Sequence, residues 1–232
     1  MPQRVARAAR VSALEGLSTG FTGRVFTGMT DYFALLQEPR RPWLDPDHLK
    51  QRFLSLSSGV HPDRVHGADA AQRRSAQERY TELNQAYTQL RHPKERLRHL
   101  LELETGNKPQ QVQEVPPDLM NLFFEVGQLC KQTDALLTEK RATTSPLLQV
   151  QILERGQLWS DRLNALGQKL NSRQQELTKE LKELDLRWVA LSDSSSAKRT
   201  EILVRLEELY RWFSYFARWE EQIQERIVQL SL

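Results

Sequence analysis

The 232-residue chain has a single cysteine, Cys130. No internal disulfide framework can form, and a reducing compartment is expected. The Cys/His spacing of a structural zinc site is absent. The five histidines (48, 61, 66, 92 and 99) are scattered without a ligand constellation, so no metal or other cofactor is expected. No apolar run approaches the roughly 18–20 residues that span a bilayer, so a soluble protein without membrane contact is expected. Gly and Pro number only ten each, and they cluster where breaks in regular structure are wanted. No charge sign dominates: 33 Lys and Arg are interleaved with 30 Asp and Glu, a net +3. That balance is too even to imply a nucleic-acid partner. No nucleophile–base pair, phosphate loop or carboxylate cluster stands in recognisable context, which argues against an enzyme.

What is present is helical patterning. Hydrophobic content of 39% and charged content of 27% fit a well-patterned all-α protein. Residues 1–29 carry Arg4, Arg7, Arg10 and Arg24 against one acid, Glu15. That is the composition of a transit-like segment, with a disordered extension as the competing reading. The expected location is cytoplasmic, or the mitochondrial matrix if residues 1–29 are a transit peptide.

From Thr30 the pattern tightens. Thr30 or Asp31 caps a short helix with Tyr32, Phe33, Leu35 and Leu36 on its apolar side. Pro39, Pro42 and Pro46 make a loop holding Trp43, and Asp45-Pro46 is a helix start. Leu49, Phe53, Leu56 and Val60 then recur at spacings of four, three and four, a single buried stripe with Lys50 and Arg52 off it, toward solvent. A polar break follows, His61-Pro62-Asp63-Arg64. Proline pushes the residue before it out of the helical region, so the break should end the helix and present its side chains to solvent. An ordinary helix–helix turn is the alternative. A longer helix over 68–91 buries Ala76, Tyr80, Leu83, Ala86, Tyr87 and Leu90, and a last one from Lys94 to Leu103 follows His92-Pro93.

Four helices with a polar loop between the second and third resemble a J-domain, and within that group the HscB-type iron–sulfur co-chaperones. DYFALL, LKQRFLSL, HPDR and the stretch from Asn84 to Leu103 carry the resemblance. It implies that His61, Pro62 and Asp63 stimulate the ATPase of a DnaK/HscA-type chaperone, with Lys50 and Arg52 on the docking face and Arg64 beside it. Asp63 is placed to accept a charge-assisted hydrogen bond, while rim cations set association rate and register. The chain departs from the family's basic lead-in with Ser57-Ser58-Gly59.

Residues 104–117 read as a Pro-containing linker, and residues 118–232 as an antiparallel three-helix bundle. Its helices are expected at about Pro117–Arg141, Pro146–Leu191 and Ala197–Leu230, with Ser192–Ser196 as a hairpin loop. Leu163, Leu166, Leu170, Leu177, Leu181, Leu184, Trp188 and Leu191 form one long seam. Ile202, Leu206, Leu209, Phe213, Phe216, Ile223, Ile227 and Leu230 form the other.

The HscB resemblance continues in PDLMNLFFEVGQL and RWFSYFARWEEQIQERI. It implies a face for an iron–sulfur cluster scaffold protein at Leu119, Met120, Phe123 and Trp212. Phe124 and Gly127 stand where the family has acids. Residues 119, 120, 123 and 124 cannot all face one core, because 123 and 124 are about 100° apart on a helix. Cys130 reads as a small buried apolar residue. The leading reading is a co-chaperone that activates the ATPase and delivers the scaffold. The alternatives are a J-domain adaptor for a different client, and a structural coiled-coil protein whose J-domain does not function.

Overall fold

The first three helices each begin behind an aspartate whose carboxylate supplies what the helix start lacks. The computed structural model describes residues 30–61, 69–109, 115–191 and 196–232, and among them every regular element is helical. In α1 (Tyr32–Leu35) the Asp31 carboxylate accepts from the Phe33 and Ala34 amides. α2 (Pro46–Ser58) starts behind Asp45, which accepts from the His48 amide, and has proline in its first turn. α3 (Ala70–Arg91) is capped in the same way by Asp69, accepting from Gln72 N–H. These caps satisfy donors that the first turn leaves open. α4 (Pro93–Thr105) begins on proline and ends at Gly106, whose φ of 74° lies in the region that only glycine enters freely.

Phe33, Leu36, Leu49, Leu83, Ala86, Leu90, Leu97 and Leu100 are buried together among α1–α4. Phe53 and Tyr87 stack across α2 and α3 with centroids 4.6 Å apart. His99 is also core. Its Nε2 accepts the Tyr32 backbone N–H at 3.0 Å, and the ring stacks on Phe33.

A one-turn 3-10 helix, Pro117–Leu119, leads into α5 (Met120–Ala142), followed by α6 (Pro146–Val189) and α7 (Ser196–Ser231). α6 stops two residues earlier than its seam suggests, and residues 192–195 of the expected hairpin lie outside the described residues. The pairs Glu125–Lys169 and Glu139–Arg155 step forward on α5 and backward on α6 by the same number of residues, so the two helices run antiparallel. Arg205–Glu180 and Arg187–Glu201 give α6 and α7 the same relation. The expected seams are buried, with Leu191 and Ile227 at their margins.

The loop holding Trp43 is where the two groups of helices are fastened. Asp185, buried on α6, accepts from Arg41 Nε at 2.9 Å, from Arg41 Nη2, and from the Trp43 backbone N–H at 3.0 Å. The hydrogen bond to Asp185 raises the Arg41 pKa further. The Trp43 ring lies between Lys182 and Arg96, 4.5 and 5.4 Å from its centroid. Trp188 Nε1 donates to the Arg40 carbonyl at 3.0 Å. Arg199 covers the Trp188 ring and reaches Glu104 at 2.7 Å. Arg96 is fully buried and donates to the Pro42 and Leu90 carbonyls. Burial lowers its pKa to about 10, against the opposing pull of Asp185.

Two predictions follow from these buried groups. Asp185→Ala takes the acceptor from the Trp43 N–H and from Arg41, which is 31% exposed and can turn to water, so it should cost about 1–3 kcal/mol in urea unfolding. Glu139→Ala, which breaks an exposed pair, should leave the midpoint essentially unchanged. The second concerns pH. Burial holds His99 neutral down to about pH 4, whereas an unfolded histidine takes up its proton near pH 6.5. Between those values the unfolded chain binds more protons, so acidification destabilises the fold. The His99 share of the loss from pH 7 to pH 5 should be about 2 kcal/mol and should be missing in His99→Gln, leaving the share due to His92, whose pKa burial also lowers. An unchanged pH dependence in that variant would exclude His99 as the cause.

Candidate functional site

The polar break after α2 is reached through Ser57, Ser58 and Gly59. Both serine hydroxyls bond back to carbonyls of their own helix, Leu54 and Ser55. Gly59 caps α2 with φ −75° and ψ −23°, a right-handed conformation open to any residue, and a Cβ there would meet nothing within 4 Å. The lead-in therefore adds neither a cation nor a backbone requirement for glycine.

His61 is half-buried, and its ring meets Tyr80 of α3 edge-on with centroids 5.4 Å apart. The expectation that the break points wholly to solvent is corrected for this residue, because Tyr80 of α3 packs against its ring. Pro62, Asp63 and Arg64 lie outside the described residues. Lys50 is exposed as expected. Arg52 is not a free surface cation. Its Nε lies 3.7 Å from Oε1 of buried Glu38, and His48 Nδ1 approaches the same oxygen at 3.2 Å. Glu38 was not apparent from the sequence, since nothing in a Gln-Glu-Pro loop signals a buried carboxylate.

The other expected face lies at the start of α5 and in the middle of α7. Met120, Phe123 and Phe124 are 38%, 41% and 63% exposed, whereas Leu119 is 0% and Trp212 6% exposed. The structure thus brings Met120 and Phe123 to the surface and corrects the placement of Leu119 and Trp212. Leu119 ends the 3-10 turn and is directed inward, while Met120 begins the α-helix one step around. α7 is packed by α4, α5 and α6, so Tyr210, Trp212, Phe213, Tyr215 and Phe216 are buried all round the helix. The guanidinium of Arg173 lies over the Trp212 ring at 5.2 Å. Phe124, which the expected set omitted, is the most exposed residue of the patch, and its ring meets Phe123 edge-on. The 100° step between 123 and 124 was the available signal.

Cys130 is buried, and desolvation pushes its thiol pKa up. Among the described residues no three or more His, Cys, Asp or Glu side chains gather as a metal site. No described helix is long and apolar enough to cross a membrane.

Among the described residues these elements make an all-helical fold. The chain is similar in fold to the chaperone HscB from Vibrio cholerae, with a TM-score of 0.53 at 20% identity, covering 87% of this chain and 99% of that one. It is also similar to the human co-chaperone protein HscB, with a TM-score of 0.55 at 19% identity, covering 84% and 81%. In sequence it is 44% identical over 72 residues to the co-chaperone protein HscB homologues of Bordetella pertussis, Bordetella parapertussis and Bordetella bronchiseptica. Those 72 residues are 31% of this chain and 42% of each relative. No family model matches. The resemblance to HscB-type co-chaperones therefore holds in sequence over part of the chain and in fold over most of it.

Burial separates the expected contact residues by what their loss should do. Trp212→Ala should destabilise the protein by about 3–5 kcal/mol, the range for emptying a large core site. Phe124→Ser should change the unfolding midpoint little. Thermal melts of the two variants make the comparison. Equal destabilisation would mean that Phe124 is a packing residue.

Proposed function

We propose that this protein is a co-chaperone of iron–sulfur cluster assembly. The helices over 30–103 stimulate a DnaK/HscA-type ATPase through His61-Pro62-Asp63, with Lys50 and Arg64 as docking cations. The helices over 118–232, joined by 104–117, deliver a cluster scaffold protein. The observation that carries this reading is the exposed trio Met120, Phe123 and Phe124, held on a fold like that of the HscB proteins. Contiguous exposed apolar surface on a folded protein marks an interface, and two aromatic rings supply large contact area. Leu119 and Trp212, both buried, act through packing rather than by touching the client. Arg52, leaning on Glu38, contributes to docking less than Lys50 does.

His61 packed against Tyr80 supports a loop whose imidazole is fixed before the partner arrives, which lowers the ordering cost of docking. The lead-in without cations supports a weaker electrostatic contribution, and so a shallower salt dependence than a basic lead-in gives. A second reading, delivery of a different client, is favoured by one feature. Phe124 and Gly127 replace the acids of the related face, making this patch more apolar.

A single ATPase assay tests both halves. Micromolar protein should raise the chaperone's ATP turnover, and the cluster scaffold should raise it further. His61→Gln should abolish both effects. Met120→Ser combined with Phe123→Ser and Phe124→Ser should keep the first and lose the second. An ATPase rate unchanged by the wild-type protein, with or without scaffold, refutes the proposal. Stimulation that never responds to scaffold favours the second reading.

A further inference from the structure

A groove of about 540 Å³ lies between α6 and α7 near Gly167 and Glu220, away from the patch on α5. Arg155 and Lys169 mark the side of α6 that faces α5, since they pair with its Glu139 and Glu125. Asn164, Gln168 and Asn171, which line the groove, are turned roughly 100–160° from Lys169 around the helix. The two surfaces are therefore on different sides of the bundle.

The groove is built from unlike parts. Ile227, partly exposed, forms its apolar base over the buried Leu163 and Ile223. Gly167 leaves a gap in one wall, because a Cβ there would meet nothing within 4 Å. The side-chain amides of Asn164, Gln168 and Gln224 border it and make no hydrogen bond among the described residues. Each such amide offers a donor and an acceptor, the complement of a peptide unit. Glu220 also borders the groove, with no ion-pair or hydrogen-bond partner among the described residues. Partial burial pushes its carboxyl pKa up, and a cation brought beside it would relieve that cost. From residue 164 to 171 the helix advances about 10 Å, the length of about three extended residues.

We propose that the α6/α7 groove binds a short extended peptide of a partner protein, with Asn164, Gln168 and Gln224 holding its backbone and Glu220 receiving a Lys or Arg side chain. An apolar side chain next to that cation rests on Ile227. This is a second binding surface, independent of the apolar patch on α5.

The probe is a fluorescein-labelled Ala-Leu-Arg-Leu-Ala peptide, titrated with the full chain and read by anisotropy. Saturable binding is expected, with a counterpart carrying Glu in place of Arg failing to bind. Glu220→Gln should weaken binding about tenfold, the scale of one charge-assisted hydrogen bond. Gly167→Leu should fill the groove and abolish binding without lowering the thermal midpoint, since leucine favours the helix over glycine. Phe124→Ser should bind as wild type does. No saturable binding, or equal affinity in both groove variants, overturns the proposal. So does loss of binding in Phe124→Ser, which would put the peptide on α5. A dimer seen by light scattering that dissociates in Gly167→Leu also overturns it, because a second copy would then fill the groove.

Discussion

The buried carboxylate of Asp185 is the constraint on which the arrangement of this molecule depends. It accepts three hydrogen bonds from the proline-flanked loop around Trp43, so residues 144 positions apart are joined by charge and by backbone. Taking a carboxylate out of water is costly unless its lone pairs are satisfied. Here the partner is the planar fork of arginine, the geometry best suited to it. Trp43, between Lys182 and Arg96, and Trp188, under Arg199, surround the junction with aromatic faces. The two groups of helices meet where α4 packs on α7 and where this loop reaches α6.

Much of the fold was legible because helices announce themselves by period and by their ends. Asp31, Asp45 and the proline starts marked beginnings, and the leucine seams marked which faces close on one another. The candidate site was legible only in part. Met120 and Phe123 could be read as surface because four apolar residues cannot share one face. Leu119 and Trp212 were misplaced for a reason outside any periodicity. A 3-10 turn directs Leu119 inward, and three neighbouring helices enclose α7, so that even a residue beside the seam is buried. Arg52 was read as solvated because its partner Glu38 lies in a loop without a pattern.

By itself, the sequence determined the helices, their order, their apolar faces and the motifs that resemble a J-domain, since each of these depends on residues close together in the chain. Only the tertiary structure decided which exposed positions are surfaces and which buried polar groups are junctions. Asp185 between Leu184 and Leu186, Arg96 in a leucine helix, and Glu220 between Trp219 and Glu221 carry no local mark of their surroundings. What distinguishes them is the partner that folding brings or withholds: Arg41 for Asp185, the Pro42 carbonyl for Arg96, and none among the described residues for Glu220.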